Sequence, residues 1–335
     1  MEIRKIQLTG GSSYIVSLPK EWIKAANIQK NDPVGLLVQP DGSLVITPKI
    51  EGEPAQRIKE FAVDAGTDRV SLLRCLIGAY IAGYTTIRIC SRGRLPPFIR
   101  KLVREFTQMA VGQEVVHETE DSITLKDLLN PVEMPLGNTI KRMSVLARGM
   151  QEDAVAALSR RDRSLAEDVI TRDNEVDRLH WLIARQNHLL LKDLGLSRRM
   201  NLSAGTAAHY YLISRILERI ADHAARMGWN ALALIDTDPA SDTVAMIDAA
   251  NASALFISAK SMESVFEGNL RKANETIKLV QGLDEQCKEI SARALQHEAV
   301  VAIPIGHMSD SIRRIGEYSA DICENVINYV IGEEA

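Results

Sequence analysis

The sequence predicts a multidomain protein with a β-rich N-terminal module, a small α/β domain and a long all-α region. Three observations support this fold class. The N-terminal module alternates β-branched runs with glycine and proline turns, helical periodicity continues almost without interruption after Pro135, and 335 residues exceed what one hydrophobic core normally holds. We therefore expect domains at residues 1–50, 51–132, 133–238 and 239–335.

Composition narrows the classes of function. The net charge of -4 excludes a uniformly basic nucleic-acid coat, so any nucleic-acid contact must come from a local patch. The four cysteines form no CxxC pair, which favours a reducing compartment over a zinc ribbon or a disulfide framework. No apolar leader follows Met1, and the most apolar stretch, Leu72 to Tyr84, is too short to span a bilayer. We expect a cytoplasmic protein.

The N-terminal module has a ββαββ pattern. Strands are predicted at residues 3–8 and 14–18, separated by TGGSS, and Pro19 begins a short helix. Two further strands, 34–39 and 43–47, flank a PDG turn. A unit of this size buries little surface alone, so its strands are expected to complete a sheet with a second copy of the chain.

The segments SSYIVSLPKEW and DGSLVITP carry a resemblance to a known family. They are similar to the AbrB/MazE/SpoVT family of swapped-hairpin DNA-binding domains, which implies a dimeric swapped-hairpin β-barrel. In that family the paired first strands and the following loop face DNA, and Arg, Lys, Gln, Thr and Ser are suitable residues for contacting phosphates and base edges. The positions implied here are Arg4, Lys5, Gln7, Thr9, Ser12 and Ser13.

The middle segment begins after a predicted linker, Glu51 to Pro54. Helical and β-branched patterns then alternate, which indicates a small α/β domain. Helices are predicted at 70–84 and 98–110, a strand at 85–90, and a hairpin at 114–119 with 121–129.

A basic cluster stands out in the middle segment. Six basic residues lie between 88 and 104, with no acid until Glu105, and they form either a second anion-binding surface or simply a solvated helix face. They are Arg88, Arg92, Arg94, Arg100, Lys101 and Arg104.

The all-α region contains an internal repeat. Residues 213–232 resemble 307–327, with Glu218 aligned to Arg313, and 172–179 align with 283–290. This pattern predicts a tandem pair of three-helix bundles built from about six long helices. Breaks between helices are expected at 193–199, 236–242 and 302–308.

The segments LERIADHA and RRIGEYSADI, with a D-x-x-x-D motif, resemble the PhoU family of phosphate-uptake regulators over residues 135–332. The resemblance implies all-α bundles that bind iron or zinc and a partner such as the phosphate transporter ATPase or another phosphate-signalling protein. The carboxylates that match the family's metal motifs are Asp173, Asp177, Glu218, Asp222, Glu317 and Asp321.

Helix geometry supports cation binding by these pairs of carboxylates only in part. Carboxylates four residues apart lie on one helix face and can converge on a cation, although they can equally be solvated acids paired with neighbouring arginines. Asp173 and Asp177 can meet Glu218 and Asp222 only if their helices are neighbours. The second bundle departs from the pattern, because Arg313 and Lys288 stand where the first bundle has Glu218 and Asp177.

The sequence therefore predicts a homodimeric, DNA-binding regulator of phosphate uptake that performs no chemistry. One alternative is a DNA-independent dimeric scaffold or inhibitor that acts on a phosphate transporter. A carboxylate-bridged diiron enzyme is the other, but it needs Glu-x-x-His on two helices, and the bundles offer only Asp177-x-x-His180. No GxSxG or P-loop motif occurs.

Overall fold

The computed structural model describes residues 2–38, 42–48, 57–237 and 239–333. The chain separates into two compact units, Met1–Ala55 and Gln56–Ala335. The predicted linker, Glu51 to Pro54, and Pro40 and Asp41 of the predicted PDG turn lie outside the described residues. None of the described helices combines the length and the apolar character that crossing a membrane requires.

The N-terminal unit has the predicted ββαββ order. Two antiparallel hairpins, β1 with β2 and β3 with β4, flank one short helix. Gly10 and Gly11 connect the first hairpin with φ angles of 64° and 83°, where a side chain would be strained. The elements are β1 (Gln7–Thr9), β2 (Ser13–Ile15), α1 (Lys20–Ala25), β3 (Gly35–Val38) and β4 (Leu44–Thr47).

The second unit begins with a four-stranded α/β domain. Its sheet has the order β5-β6-β8-β7, with β5 and β6 parallel and the other pairs antiparallel. Alternate residues of β6 and β8 are buried with apolar residues of α2 and α3, so these helices cover one face of the sheet. The elements are β5 (Ile58–Ala62), α2 (Arg69–Ile81), β6 (Thr86–Cys90), α3 (Pro97–Met109), β7 (Gln113–Glu118) and β8 (Ser122–Asp127).

The remaining helices form two bundles. Helices α4, α5 and α7 pack together as the first bundle, α8, α10 and α11 as the second, and α7 also packs against α11. One large core of Leu, Ile, Val, Ala and Met runs through both bundles. The helices are α4 (Leu136–Arg160), α5 (Arg163–Leu190), α6 (Leu194–Met200), α7 (Ala204–Ile235), α8 (Ser241–Glu267), α9 (Leu270–Ile277), α10 (Val280–Ala294) and α11 (Ala299–Glu333).

One predicted helix break is wrong. Residues 302–308 lie inside α11, which begins at Ala299 and passes through Pro304. A proline at this position removes one backbone hydrogen bond. Pro304, Ile305 and Met308 are buried, so burial of this first part of the helix offsets the loss. The predicted break at 193–199 largely consists of the short helix α6.

Candidate functional site: a cluster of four carboxylates on the first bundle

Helices α5 and α7 are neighbours, which is the condition under which the two predicted acid pairs can meet. Asp173 and Asp177 lie one turn apart on α5, and Glu218 and Asp222 lie one turn apart on α7. Asp173, Asp177 and Glu218 are half-buried, whereas Asp222 is exposed. We call these side chains the four-carboxylate cluster.

The cluster is electrostatically strained. Burial raises the pKa of Asp173 to about 7, and the charges of Asp222 and Asp177 add to the effect. Burial, followed by Asp222 and Asp177, also raises the pKa of Glu218 to about 7, although Arg215 opposes this shift. Burial and Asp222 raise the pKa of Asp177 to about 6. The carboxylates of α5 and α7 therefore repel one another across the helix contact.

The cluster has the chemistry of a cation site but not yet its geometry. Oδ1 of Asp173 is buried without a hydrogen-bond partner, and carboxylate oxygens suit hard and borderline cations. Within the described parts of the chain, no three His, Cys, Asp or Glu side chains are grouped closely enough to hold a metal ion. Binding would require side-chain rotations that bring the oxygens together.

The corresponding place on the second bundle is charge-compensated. Lys288 Nζ lies 2.5 Å from Asp284 Oδ2, and Arg313 lies 2.6 Å from Asp310 Oδ1. Arg313 also bonds to Glu317. Glu317 further accepts a hydrogen bond of 3.0 Å from Arg314. These ion pairs leave little unbalanced negative charge for a cation to neutralise.

Asp321 lies one turn after Glu317 on α11, next to α7. It lines a cavity of about 200 Å³ together with Arg215, Arg219 and Glu324. Burial, followed by Glu324 and Glu317, raises the pKa of Asp321, while Arg219 opposes the shift. The structure therefore does not assemble Glu317 and Asp321 into a second four-carboxylate cluster.

The histidine of the Asp177-x-x-His180 motif is directed elsewhere. His180 is buried, and its Nδ1 lies 3.0 Å from the hydroxyl of Ser214. Burial lowers its pKa to about 4, and Arg215 adds to the effect. No described contact joins His180 to the four-carboxylate cluster, so the motif gives no support to the diiron alternative.

The predicted DNA-binding residues lie together on the first hairpin. Gln7 and Thr9 are on β1, Ser13 is on β2, and Ser12 is in the turn between them. All are exposed, as are Arg4 and Lys5, which precede β1. The Arg4 guanidinium bonds to Glu2.

The N-terminal unit also exposes its apolar side chains. None of its described residues is buried. Ile3 is 82% exposed, Tyr14 78%, Ile6 70% and Val38 70%. The first hairpin is exposed on both faces and the second is only half-buried in part, so the unit has no fully buried core among the described residues.

Two of the six residues of the basic cluster in the α/β domain form ion pairs. Arg88 pairs with Glu60 at 2.8 Å, and Arg100 pairs with Glu118 at 2.6 Å. The loop containing Arg92 and Arg94 is hydrogen-bonded to the β7–β8 turn, whose residues include Glu120 and Asp121. Acids from elsewhere in the chain thus lie beside part of the basic cluster, which favours the interpretation as a solvated surface.

Sequence reasoning missed one buried ion pair, Arg185 with Asp127. These side chains are 2% and 8% exposed, and they join α5 to the end of β8. A buried arginine is rare unless it is paired. An arginine inside the apolar run LHWLIA-R-QNHLL was the available signal, but its partner is 58 residues away in sequence.

Two family models match separate parts of the chain. Residues 140–229 match the model of the PhoU domain. Residues 7–53 match the model described as antidote-toxin recognition MazE, bacterial antitoxin.

Two curated relatives of the chain are PhoU homologs. Over 137 residues the chain is 30% identical to phosphate-specific transport system accessory protein PhoU homologs from two strains of Caulobacter vibrioides, covering 41% of this chain and 50% of each relative. The chain thus spans about half the length of the curated relatives it matches.

Two solved structures share the fold. PhoU from Pseudomonas aeruginosa superimposes with a TM-score of 0.52 at 18% identity, over 60% of this chain and 98% of that one. The regulatory protein PhoU from Streptococcus pneumoniae gives 0.51 at 18% identity, over 60% and 95%. The chain therefore carries a PhoU domain behind a MazE-type N-terminal segment.

Proposed function

We propose that this chain is a dimeric DNA-binding regulator of phosphate uptake. The observation that carries the proposal is the exposed apolar surface of the N-terminal unit, whose described residues include none that is buried. Burial of exposed side chains such as Ile6 and Tyr14 against a second copy of the chain stabilises the dimer. Pairing two units into one swapped-hairpin barrel provides that cover, and the MazE-type match supports the same arrangement.

Dimerisation also matters for DNA binding. The first 50 residues carry six basic and four acidic side chains, so one copy contributes a charge of only +2. Affinity for the phosphate backbone grows with the number of phosphates neutralised. Two copies double this charge and present two sets of Gln7, Thr9, Ser12 and Ser13 to the DNA.

Gel retardation with a DNA fragment from the protein's own promoter tests the proposal. We expect a shift at moderate salt, and the salt dependence of the affinity should weaken by roughly one unit of slope for each phosphate contact removed in Arg4→Ala plus Lys5→Ala. Lys24→Ala, on α1, is the matched control and should leave the slope unchanged. The absence of any shift at moderate salt would contradict the DNA claim.

We propose that the PhoU domain is the part of the chain that responds to phosphate status. The Caulobacter relatives are named as accessory proteins of a phosphate-specific transport system. By analogy, we propose that the bundles of this chain bind a component of a phosphate transporter, such as its ATPase, and that the four-carboxylate cluster binds iron or zinc. A pull-down of the transporter ATPase by the purified chain tests the first point.

A DNA-independent scaffold is the second candidate, because the same exposed apolar surface would drive dimerisation without DNA. Size-exclusion chromatography with light scattering measures the dimer separately from DNA binding. A dimer that captures the transporter ATPase but retards no promoter DNA would replace the first proposal with this one.

A further inference from the structure

Helix α5 contacts both the first bundle and the α/β domain of the second unit. Its middle turns carry Asp173 and Asp177 of the four-carboxylate cluster, and its last turns pack against the α/β domain. Trp181 packs against the core of that domain. Asp177 and Arg185 are two turns apart, which corresponds to about 12 Å along the helix axis.

Arg185 fixes α5 to the α/β domain. Its guanidinium forms the buried ion pair with Asp127 and donates hydrogen bonds to the carbonyl oxygens of Tyr80 and Tyr84, the latter at 3.2 Å. The guanidinium also lies 4.9 Å from the centre of the Tyr80 ring. A buried arginine bonded in this way holds its partners in one arrangement, because losing any one contact leaves buried charge or carbonyl groups unsatisfied.

The turn between α2 and β6, residues 82–85, makes further contacts with α5. Gly83 has a φ angle of 84°, and a Cβ atom on it would come within 2.7 Å of Leu189 Cδ2. Lys192, just after α5, donates a hydrogen bond of 3.4 Å to the carbonyl oxygen of Ala82. The turn therefore packs closely on the C-terminal end of α5.

The same turn holds Arg57, where the described chain resumes after the segment that joins the N-terminal unit to the α/β domain. The Arg57 guanidinium donates a hydrogen bond of 2.7 Å to the Ala82 carbonyl and lies 4.9 Å from the Tyr84 ring centre. Its backbone N–H donates to the Thr85 hydroxyl at 2.9 Å. Both α5 and Arg57 thus make direct contacts with the turn at residues 82–85.

We propose that α5 is a strut that links the four-carboxylate cluster, through Arg185 and the turn at 82–85, to Arg57 at the entry of the N-terminal unit's connecting segment. Arg185 is the positioning residue of this link. The inference deepens the proposed function, on which its regulatory meaning rests, by giving the route from a change on the bundles to the N-terminal half of the chain.

Hydrogen exchange of the full chain tests the link without DNA or metal. The variant D173N/D177N/E218Q/D222N removes the repulsion between α5 and α7, which should hold α5 more firmly. We expect exchange of the backbone amides of Arg57, Thr85 and Thr86 to slow by roughly two- to thirtyfold, the range of typical coupling effects. These amides report on the turn because each makes one of its hydrogen bonds.

The same charge changes in a background without Arg185 complete the test. Replacing Arg185 alone would leave Asp127 buried and unpaired, so the background is R185M/D127N, and protection of α3 amides confirms that the domain is folded. In this background the cluster changes should leave the three amides unaffected. A milder variant, L189A, relaxes the contact with Gly83 and should reduce the response only in part.

Two outcomes would overturn the proposal: an unchanged exchange rate in the cluster variant, or an equal slowing in the R185M/D127N background. As a control, D248N/E285Q/E289Q removes three exposed acids of the second bundle and should not affect the turn. Failure of DNA binding would refute the proposed function but leave this result standing, because the exchange experiment contains no DNA.

Discussion

At equivalent places on the two bundles, Asp177 and Glu218 of the first correspond to Lys288 and Arg313 of the second. The first bundle keeps four acids whose mutual repulsion and burial raise the pKa values of Asp173 and Glu218 to about 7. In the second, Lys288 and Arg313 form ion pairs with Asp284 and Asp310.

We propose that this difference gives the two halves of the helical repeat different roles. A site whose charges are already paired is stable by itself and gains little from an added ion. A site with unbalanced acids is less stable alone, and it gains stability when a cation or a proton arrives. The first bundle is therefore the half of the repeat that is suited to respond to a ligand, and the second is suited to support the structure.

Transferring the first bundle's acids to the second should have the largest effect. K288D/R313E removes the ion pairs with Asp284, Asp310 and Glu317 and places like charges together, so we expect the free energy of unfolding to fall by about 3 kcal/mol. Urea denaturation measures the change. The control R198E/K278D makes the same change in net charge at exposed residues, neither of which is ion-paired in the described structure, and should cost much less.

A bound cation should stabilise the first bundle almost as strongly. At a hundredfold excess over the dissociation constant, zinc should raise the free energy of unfolding by about 2.7 kcal/mol. Thermal denaturation with and without zinc should show the gain in the wild type and lose it in E218A/D222A. Stabilisation that survives in E218A/D222A would place the ion elsewhere.

The two bundles should also differ in how their stability depends on pH, although this effect is smaller. Because the pKa values of Asp173, Asp177 and Glu218 are raised to about 6 or 7, these three carboxyls bind more protons in the folded chain than in the unfolded chain from about pH 4 to pH 7. Buried His180 and His223 act in the opposite direction, because burial lowers their pKa values to about 4. The three carboxyls should therefore contribute a gain in stability of roughly 1 kcal/mol as pH falls from 8 to 5.5, after solvent screening, and this gain is measured as the difference between the wild type and a variant without them.

Urea denaturation at the two pH values checks this. Relative to the wild type, D173N/D177N/E218Q should lose this contribution between pH 8 and pH 5.5, whereas D284N/E317Q in the second bundle should keep it. An equal response from both variants would mean that the titrating groups are not those of the four-carboxylate cluster.

The smallest effect is expected from Lys288→Ala alone. Lys288 is 72% exposed, and its pair with Asp284 spans one helix turn, so its loss should cost less than about 0.5 kcal/mol. A much larger loss in urea denaturation would show that the compensation in the second bundle depends on Lys288 rather than on Arg313.

Much of the fold could be predicted because it depends on local patterns. The ββαββ order follows from Gly10, Gly11 and the residues around Pro19, and the resemblances to the MazE and PhoU families are both confirmed. Strand β5 was missed, because IKEFA mixes apolar and charged residues and forms a strand through its parallel pairing with β6. The domain boundaries within residues 51–335 and the DNA contacts stay predictions.

The candidate site was only partly predictable, because spacing shows which acids share a helix but not which helices meet. Asp173 and Glu218 belong together only through the packing of α5 on α7. The pairing of Arg313 with Asp310 and Glu317 was visible as charges at helical spacing. The Arg185–Asp127 pair was not, since it depends on how α5 crosses the α/β domain.

Metal stoichiometry of the purified full chain tests the difference between the bundles most directly. After incubation with iron or zinc and removal of excess ion, elemental analysis should find bound metal in the wild type and in D284N/E317Q, but none in D173N/D177N/E218Q/D222N. Equal metal content in all three proteins, or none in the wild type, would contradict the assignment of a responsive site to the first bundle.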